Sequence, residues 1–223
     1  MGHLQRLIAF DLDGTLIDSR RDLADSANQL IAELGGAPLP EAAVGRMVGD
    51  GARVLVERAL AAAGLTDPGT ALPRFLQIYD TRLLNHTRPY DGVEAAIEAA
   101  RRGARVTMLT NKPLHHTERI VGALGWAPFF DEVVGGDNPR GRKPAPHALL
   151  AMMETAGVTA AQTMLVGDSK VDLDTARRAG VRCCLVSFGY GFESVDKAPI
   201  EGETIVKDVA TLVQEIEGFL GRV

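Results

Sequence analysis

Residues 7–15 constrain the fold of this chain more than any other stretch. The apolar run at residues 7–10 leads directly into Asp11, and a second aspartate, Asp13, precedes Gly14. A short apolar run that ends in a turn is typical of a strand buried on both faces, as in parallel sheets covered by helices. Ligands in such sheets bind beyond the carboxyl ends of the strands. The sequence therefore predicts a parallel sheet with both aspartates at its functional edge.

The two aspartates also predict a divalent cation. Carboxylates at one strand end repel each other unless a positive charge offsets them. Carboxylate oxygens with few Cys or His residues nearby suit Mg²⁺ rather than zinc. A loop rich in Asp and Gly, with no ligand, is the alternative interpretation of the same residues. More distant parts of the chain decide between the two.

The rest of the chain divides into two kinds of pattern. From Leu16 to Arg88 the spacing is helical, with no strand pattern, whereas the following residues alternate between apolar runs and helical patterns. Such alternation predicts βαβ units and a parallel sheet. We therefore expect an α/β protein. Its Rossmann-like parallel sheet core would comprise residues 1–16 and 89–223, and an inserted all-helical cap domain would comprise residues 17–88.

Composition and charge limit the partners. The 223 residues carry a formal net charge of −5 and 46% are apolar, which is ordinary for a soluble globular protein. Mild acidity without a basic run argues against a nucleic-acid partner. We expect no membrane span and no signal peptide, since no apolar stretch is long enough and charge follows the N-terminus closely. The only cysteines, Cys183 and Cys184, lie in an apolar run, which predicts buried thiols and a reducing cytoplasm.

Two later stretches add a hydroxyl and an ammonium. Thr110 and Asn111 follow a strand pattern, and a hydroxyl at that point can donate to a phosphoryl oxygen, although both residues could simply open a turn. Lys143 precedes Pro144, which favours an extended conformation for the lysine. An ammonium aimed at carboxylates and phosphate lowers their mutual repulsion. A solvated loop cation is the alternative interpretation of Lys143.

A third group of carboxylates follows the apolar run at residues 163–166. Asp168 comes at the strand end, and Asp172 lies one helical turn further on, facing the same way. Ser169 and Asp172 also resemble an acidic capping box at the start of a helix. The two interpretations are compatible. Taken in order, the strand ends supply a carboxylate nucleophile, a second carboxylate, a hydroxyl, a lysine and a metal ligand.

This ordered set resembles the haloacid dehalogenase superfamily of phosphohydrolases. The four matching motifs are Asp11-Leu12-Asp13-Gly14-Thr15, Thr110-Asn111, Lys143-Pro144 and Gly167-Asp168 with Asp172. Within the superfamily the chain is similar to the phosphoglycolate phosphatase group. The stretches that resemble this group are residues 48–55 in the expected cap and Thr110-Asn111-Lys112-Pro113.

The resemblance implies a role for each catalytic residue. Asp11 would attack the phosphorus and form an aspartyl-phosphate. Asp13 would protonate the leaving oxygen and then deprotonate the water that releases phosphate. Thr110 would hold phosphoryl oxygens, and Lys143 would balance the charge on Asp11 and the phosphoryl group.

The resemblance also implies a cofactor and substrate contacts. Mg²⁺ would be bound by Asp11, Asp168 and the main-chain carbonyl of Asp13, with Ser169 and Asp172 supporting the site. The residues expected to contact substrate are Gly14, Asn111 and, from the cap, Arg53.

The expected reaction is Mg²⁺-dependent hydrolysis of a small phosphomonoester, 2-phosphoglycolate before others, by a monomer or homodimer. Asp13 favours phosphate esters, because a halide leaving group needs no proton. The alternatives are a phosphatase for sugar phosphates or other small metabolites and a β-phosphoglucomutase-like phosphotransferase. A non-catalytic phosphoacceptor or binding protein is a further alternative, but it would need neither Asp13 nor a helical insertion.

Two further expectations concern residues outside the motifs. His115 and His116 open a predicted helix, and polar residues at that position are typically exposed. Residues 188–191 follow the last long strand pattern, and we expect them at the rim of the site.

Overall fold

A parallel sheet organises the molecule. The computed structural model describes residues 6–195 and 203–221. Their strands are β1 Arg6–Phe10, β2 Ile17–Asp18, β3 Arg88–Pro89, β4 Ala104–Leu109, β5 Glu132–Val134, β6 Thr163–Gly167, β7 Arg182–Val186 and β8 Glu203–Val206. Six of them form one sheet in the order β5–β4–β1–β6–β7–β8, and every pair is parallel. This arrangement confirms the predicted α/β fold.

Helices cover both faces of the sheet. In the described residues they are α1 Arg20–Glu33, α2 Glu41–Gly45, α3 Ala52–Ala62, α4 Ala71–Asp80, α5 Val93–Arg101, α6 Leu114–Ala123, α7 His147–Ala156, α8 Lys170–Ala179 and α9 Val209–Gly221. Apolar residues of α5, α6 and α9 pack on one face, and those of α7 and α8 pack on the other. None of these helices is long and apolar enough to cross a membrane.

Strand β1 is buried along its whole length, as its apolar run predicts. Its side chains alternate between the two sides of the sheet: Ile8 and Phe10 join one apolar cluster, while Leu7 and Ala9 join the other. This alternation is the geometry of a pleated strand. Covered on both faces, β1 is apolar at residues 7–10, and only Arg6 at its start carries a charge.

The two cysteines of β7 show the same alternation between the two sides of the sheet. Cys183 and Cys184 are adjacent in β7, free and buried, and they point into opposite clusters. Burial raises the pKa of both thiols. The prediction of buried strand cysteines is confirmed.

The first four helices form a helical insertion, α1 to α4, between β2 and β3. Its apolar residues, among them Leu30, Val56 and Phe75, belong to the same cluster as one face of the sheet. One expectation was wrong, because β2 and β3 pair in antiparallel fashion at a place where the sequence predicted no strand. Each strand has two residues, too few for a period-two pattern. The division into core and cap domains stays a prediction.

A buried carboxylate ties the start of the insertion to its end. Asp22 in α1 accepts hydrogen bonds from the backbone N–H groups of His86 and Thr87 and from the Thr87 hydroxyl, at 2.8–3.1 Å. These bonds hold the returning chain beside the outgoing chain. The β2–β3 pair forms next to them, so tertiary proximity rather than strand propensity creates it.

Glycines follow two of the helices on the sheet. Helices α7 and α8 end at Gly157 and Gly180, which adopt φ values of 65° and 69°, a conformation that glycine adopts without strain. Parts of the predicted core range, residues 1–5, 196–202 and 222–223, lie outside the described residues.

Candidate active site

The candidate site lies at the point in the sheet where the order of successive strands reverses. The chain runs outward from β1 through β4 to β5 on one side and through β6, β7 and β8 on the other. The carboxyl ends of β1, β4 and β6 therefore border one crevice, the usual ligand position in such sheets. Asp11 extends β1 by donating its N–H to Val166 O, and Thr110 extends β4 by donating to Val134 O. Asp168 follows β6 directly. Three predicted residues are thus brought to one edge.

Three carboxylates in this crevice are close enough to share a cation. Asp11, Asp168 and Asp172 are buried, and one oxygen of each lies within 4.8 Å of the others. Burial raises the pKa of Asp11 to about 6, against the lowering effect of Lys143, with Asp172 adding to the rise. Burial, Asp172 and Asp11 also raise the pKa of Asp168. The three carboxylates therefore concentrate negative charge in the crevice.

The donor set fits Mg²⁺. All three side chains offer hard carboxylate oxygens. Asp11 Oδ1 is buried and accepts no hydrogen bond of good geometry from the described residues, so a lone pair is available there. The sequence predicted Asp11, Asp168 and the main-chain carbonyl of Asp13 as ligands, with Asp172 in support. The cluster of side chains contains Asp11, Asp168 and Asp172, and the ligand role of Asp13 stays a prediction.

Lys143 supplies the positive charge that the described carboxylates share. Its Nζ lies 2.9 Å from Asp11 Oδ1 and 2.6 Å from Asp172 Oδ1, and the side chain is 2% exposed. Burial alone would lower the pKa of a lysine, but the two carboxylates raise the pKa of Lys143 above its usual range. The ammonium therefore stays charged in the interior.

Asp172 is held by the start of α8. Ser169 donates to Asp172 Oδ2 from its hydroxyl at 2.6 Å and from its N–H at 3.1 Å. The predicted capping box is present. The same carboxylate caps the helix with one oxygen and pairs with Lys143 through the other, so both interpretations of the sequence apply.

Glycines allow the backbone to approach Asp168. Gly14 has φ +82°, and a Cβ at that position would lie 2.0 Å from Asp168 Oδ2. From the loop after β7, Gly191 donates its N–H to Asp168 Oδ2 at 2.7 Å, and Gly189 packs against the same side chain. The loop at residues 188–191 thus borders the site, in agreement with the prediction for it.

Asp13 has partners that sequence reasoning missed. Lys112 Nζ lies 2.7 Å and 2.9 Å from its two oxygens, and the Ser19 hydroxyl donates to Oδ1 at 2.6 Å. Ser19 Oγ in turn lies 3.1 Å from the Tyr190 hydroxyl. A signal for Lys112 existed, since a lysine directly follows the polar pair at the end of β4.

Asn111 connects the helical insertion to the loop that contains Lys143. Its side-chain N–H groups donate to Gly49 O at 2.8 Å and to Lys143 O at 2.9 Å. Its Oδ1 is buried without a hydrogen-bond partner among the described residues. The amide group of Asn111 is therefore committed to joining two loops, and its predicted contact with substrate stays a prediction.

A cavity opens between these strand ends and the insertion. Its free volume is about 40 Å³. The sheet contributes Asp11, Asp13, Thr110, Asn111, Lys112 and Pro113, and the insertion contributes Leu23, Val48, Gly49, Gly51, Ala52, Leu55, Phe75, Leu76 and Tyr79. Arg53 lies exposed on α3 and does not line this cavity, so its predicted substrate contact has no support from its position.

The two histidines of α6 differ from each other. His115 is exposed as predicted, but the expectation for His116 was wrong, because its side chain is 6% exposed. Helix α6 starts at Leu114, and this register turns His116 toward the insertion, where its ring lies 5.4 Å from that of Tyr79. Burial and the charge of Lys112 lower the pKa of His116 to about 4.

Comparison with known proteins identifies the family. The model of the haloacid dehalogenase-like hydrolase family matches residues 8–186. The chain belongs to this family. The resemblance predicted from the four motifs is therefore confirmed, and the protein is a hydrolase.

Named relatives cover almost the whole chain. The phosphoglycolate phosphatase of Rhodospirillum rubrum is 41% identical over 218 residues, which span 94% of this chain and 90% of the relative. The phosphoglycolate phosphatase of Pseudomonas putida is 37% identical over 95% of this chain and 80% of its own length. A crystal structure described as a predicted phosphoglycolate phosphatase from Haemophilus somnus superposes with a TM-score of 0.88 at 30% identity, covering 95% of this chain and 98% of that one.

Proposed function

We propose that this phosphoric monoester hydrolase removes the phosphoryl group of 2-phosphoglycolate through an aspartyl-phosphate on Asp11, with Mg²⁺ as its cofactor. The observation that carries the substrate is the similarity to the phosphoglycolate phosphatase of Rhodospirillum rubrum, which extends over 94% of the chain. The similarity includes the helical insertion as well as the strand ends. The matched region therefore includes the segments that form both walls of the cavity.

Asp11 is suited to the role of nucleophile. Its carboxylate stands at the end of β1 beside the ammonium of Lys143, and its Oδ1 carries no hydrogen bond of good geometry from the described residues. A nucleophile with a free lone pair next to a fixed cation attacks a dianionic phosphoryl group against less repulsion. The buried Thr110 hydroxyl lines the same cavity and would donate to a phosphoryl oxygen.

Asp13 is suited to move the proton. It lies two residues from Asp11 and lines the same cavity, so it would face the leaving oxygen of an ester whose phosphorus Asp11 attacks. Ser19 and Lys112 fix its orientation. In the first step it would protonate the alkoxide of the leaving glycolate. In the second it would take a proton from the water that attacks the aspartyl-phosphate.

Asp11, Asp168 and the main-chain carbonyl of Asp13 are proposed to hold the Mg²⁺, with Asp172 beside them in the buried acidic cluster. When bound, the ion offsets the charge of the carboxylates and of the phosphoryl oxygens. Lys143 contributes to the same balance from a fixed position, because it is anchored by Asp172. Gly14 permits the turn in which the backbone after Asp13 approaches the Asp168 side chain.

Apolar side chains of the insertion, among them Leu55 and Phe75, line the cavity together with Asp11 and Asp13. The apolar side chains of the insertion also keep water from the aspartyl-phosphate until the leaving group has gone.

Phosphate release tests this proposal. The purified protein is assayed with 2-phosphoglycolate, with sugar phosphates and with nucleoside monophosphates, in the presence of Mg²⁺ or of EDTA. Asp11→Asn serves as the blank. We expect the highest kcat/KM for 2-phosphoglycolate, and we expect EDTA to abolish turnover.

Each other result has a distinct meaning. A higher kcat/KM for a sugar phosphate would retain the mechanism and reject the substrate. Conversion of a sugar phosphate to its isomer, without release of free phosphate, would favour a phosphotransferase. Absence of turnover from a folded protein that binds Mg²⁺ would favour a phosphoacceptor or binding role.

A further inference from the structure

The cavity contains a cation to which the proposed chemistry gives no direct task. Lys112 comes from the loop after β4, its side chain is 2% exposed, and it lines the cavity beside Asp13. It is the one cationic side chain among the described residues that line this space. Both lysines are ion-paired, Lys112 with Asp13 and Lys143 with Asp11 and Asp172, but Lys143 does not line this cavity. Lys112 is therefore the positive charge that a second anionic group on the substrate would meet.

The surroundings of Lys112 are those of a recognition group. Its Nζ is paired with both oxygens of Asp13, at 2.7 Å and 2.9 Å. Its Nζ lies 4.8 Å from the centre of the Tyr79 ring, which attracts a cation through its face. The Tyr79 hydroxyl is buried without a hydrogen-bond partner among the described residues. An anion entering here would meet two donors.

The two donors come from opposite walls of the cavity. Lys112 belongs to the sheet side, whereas Tyr79 belongs to α4 of the helical insertion. Asn111, next to Lys112, donates to Gly49 O of the insertion. Lys112 and the Tyr79 hydroxyl are therefore close together only when the insertion lies against the strand ends.

We propose that Lys112, together with the Tyr79 hydroxyl, binds the carboxylate of the substrate and thereby selects 2-phosphoglycolate over phosphomonoesters that lack a carboxylate. The assignment rests on the proposed function. Lys112 Nζ lies 2.7 Å from Asp13, so a group one methylene away from the leaving oxygen reaches the ammonium while Asp13 faces that oxygen. The methylene group then packs against the apolar wall formed by Leu55 and Phe75.

This assignment differs from the one made on sequence alone. Arg53 was expected to meet a substrate carboxylate, but its side chain is exposed and does not line the cavity. Lys112 is buried in the cavity wall, where a charge–charge contact is screened far less than at the surface. The two assignments therefore predict opposite results: substitution of Lys112, and not of Arg53, should lower the preference for 2-phosphoglycolate.

The test compares two esters of the same shape. Ethyl phosphate has a methyl group where 2-phosphoglycolate has its carboxylate. We measure kcat/KM for both esters with the wild-type protein, Lys112→Met, Lys112→Arg and Tyr79→Phe. Lys207→Met is the matched control, because Lys207 is exposed and remote from the cavity.

The expected signature is a change in the ratio of the two kcat/KM values. Lys112→Met should lower the preference for 2-phosphoglycolate by about 100-fold, since a buried charge pair with the substrate is lost. Lys112→Arg should retain more of the preference, and Tyr79→Phe should lower it several-fold. Lys207→Met should leave it unchanged. Because Lys112 also contacts Asp13, both esters should lose some rate, and this shared loss cancels in the ratio.

Binding is measured separately from turnover. In the Asp11→Asn background, 2-phosphoglycolate should raise the melting temperature, and adding Lys112→Met should remove most of that rise. Circular dichroism checks that each variant is folded. If Lys112→Met does not fold, Tyr79→Phe carries the test alone.

The outcomes separate this inference from the proposed function. A wild-type protein without preference for 2-phosphoglycolate over ethyl phosphate contradicts the proposed function. A wild-type preference that survives in Lys112→Met, with equal losses for both esters, leaves the function in place and makes Lys112 a positioning residue for Asp13. Loss of the preference in Arg53→Ala, with Lys112→Met retaining it, would assign the carboxylate to Arg53 and overturn this inference.

Discussion

The two walls of the cavity are built on different principles. The sheet wall presents charged groups that are buried and paired with one another: Asp11 and Asp172 with Lys143, and Asp13 with Lys112. The wall formed by the helical insertion is mostly apolar, and its ion pairs, such as Arg74–Glu33, lie on the outer surface. The groups to which we assign the chemistry are thus fixed by the backbone and by each other, whereas we propose that the facing wall supplies shape and excludes water.

The difference follows from what holds each wall in place. Strand ends are positioned by the sheet ladder, so carboxylates there can be set at defined distances. The insertion packs through a continuous apolar cluster, whose attraction is not directional. We expect substitutions of the buried charged groups in the sheet wall to affect catalysis and stability more strongly than substitutions of the exposed charged groups of the insertion.

The largest effect is expected for the nucleophile. Asp11→Asn removes the attacking carboxylate, and steady-state phosphate release should fall by at least about 1,000-fold. The melting temperature should not fall, because the buried acidic cluster loses one like charge. Asp91→Asn, at an exposed position, is the control and should keep full activity. Appreciable residual turnover in Asp11→Asn would assign the nucleophile elsewhere.

Breaking one ion pair in each wall compares how much the two walls depend on their charges for stability. Lys143→Met leaves three buried carboxylates close together and should lower the free energy of unfolding in urea by about 3 kcal/mol. Added Mg²⁺ should restore part of the loss, since it binds the folded site. Arg74→Met breaks the exposed pair with Glu33 and should change stability little. Equal losses in the two variants would remove the proposed contrast.

Two glycines with the same backbone conformation provide a finer test. Gly14 has φ +82° and Gly35 has φ +81°, but only at Gly14 would a Cβ clash, 2.0 Å from Asp168 Oδ2. Both alanine variants should lose about 1 kcal/mol from left-handed strain. Gly14→Ala should in addition lose roughly 100-fold in kcat/KM, because a displacement of about 1 Å at a catalytic group has that effect. Similar activities for the two variants would contradict the close approach of Gly14 to Asp168.

The smallest effect concerns pH and the contact between the walls. The pKa of His116 is lowered to about 4 by burial and by Lys112, with Asp80 opposing and with His115 and Arg119 adding to the lowering. A lowered pKa means that the unfolded chain binds the extra proton first. Neutral His116 therefore stabilises the fold fully above pH 6.5, and this contribution is lost as the pH falls toward 4.

The measurement is the melting temperature between pH 7 and pH 4. The wild-type protein should lose more than His116→Asn over this window, since other groups titrate equally in both. His115→Asn, at the exposed neighbouring position, should follow the wild type. Parallel curves for wild type and His116→Asn would show that His116 is not held neutral.

The sequence predicted the groups on the sheet wall well, and the facing wall much less well. The strand at β1, the capping box of Ser169 and Asp172, and the helix end at Gly180 follow from short-range patterns. The pairing of Lys112 with Asp13 joins residues that are far apart in the sequence. No local pattern encodes such a pair, although the position of Lys112 directly after a polar strand end was a usable signal.

By itself the sequence determined the parallel sheet, the helical insertion, the family and the order of the charged groups, because strand periodicity and helix-ending glycines are local properties of the chain. Tertiary structure alone decided that Lys112 pairs with Asp13, that His116 is buried, that Arg53 lies outside the cavity lining, and that β2 pairs with β3. These features depend on where distant segments meet. A charge at a given position has the same local signal whether it is solvated or buried, and only its neighbours in space decide its role.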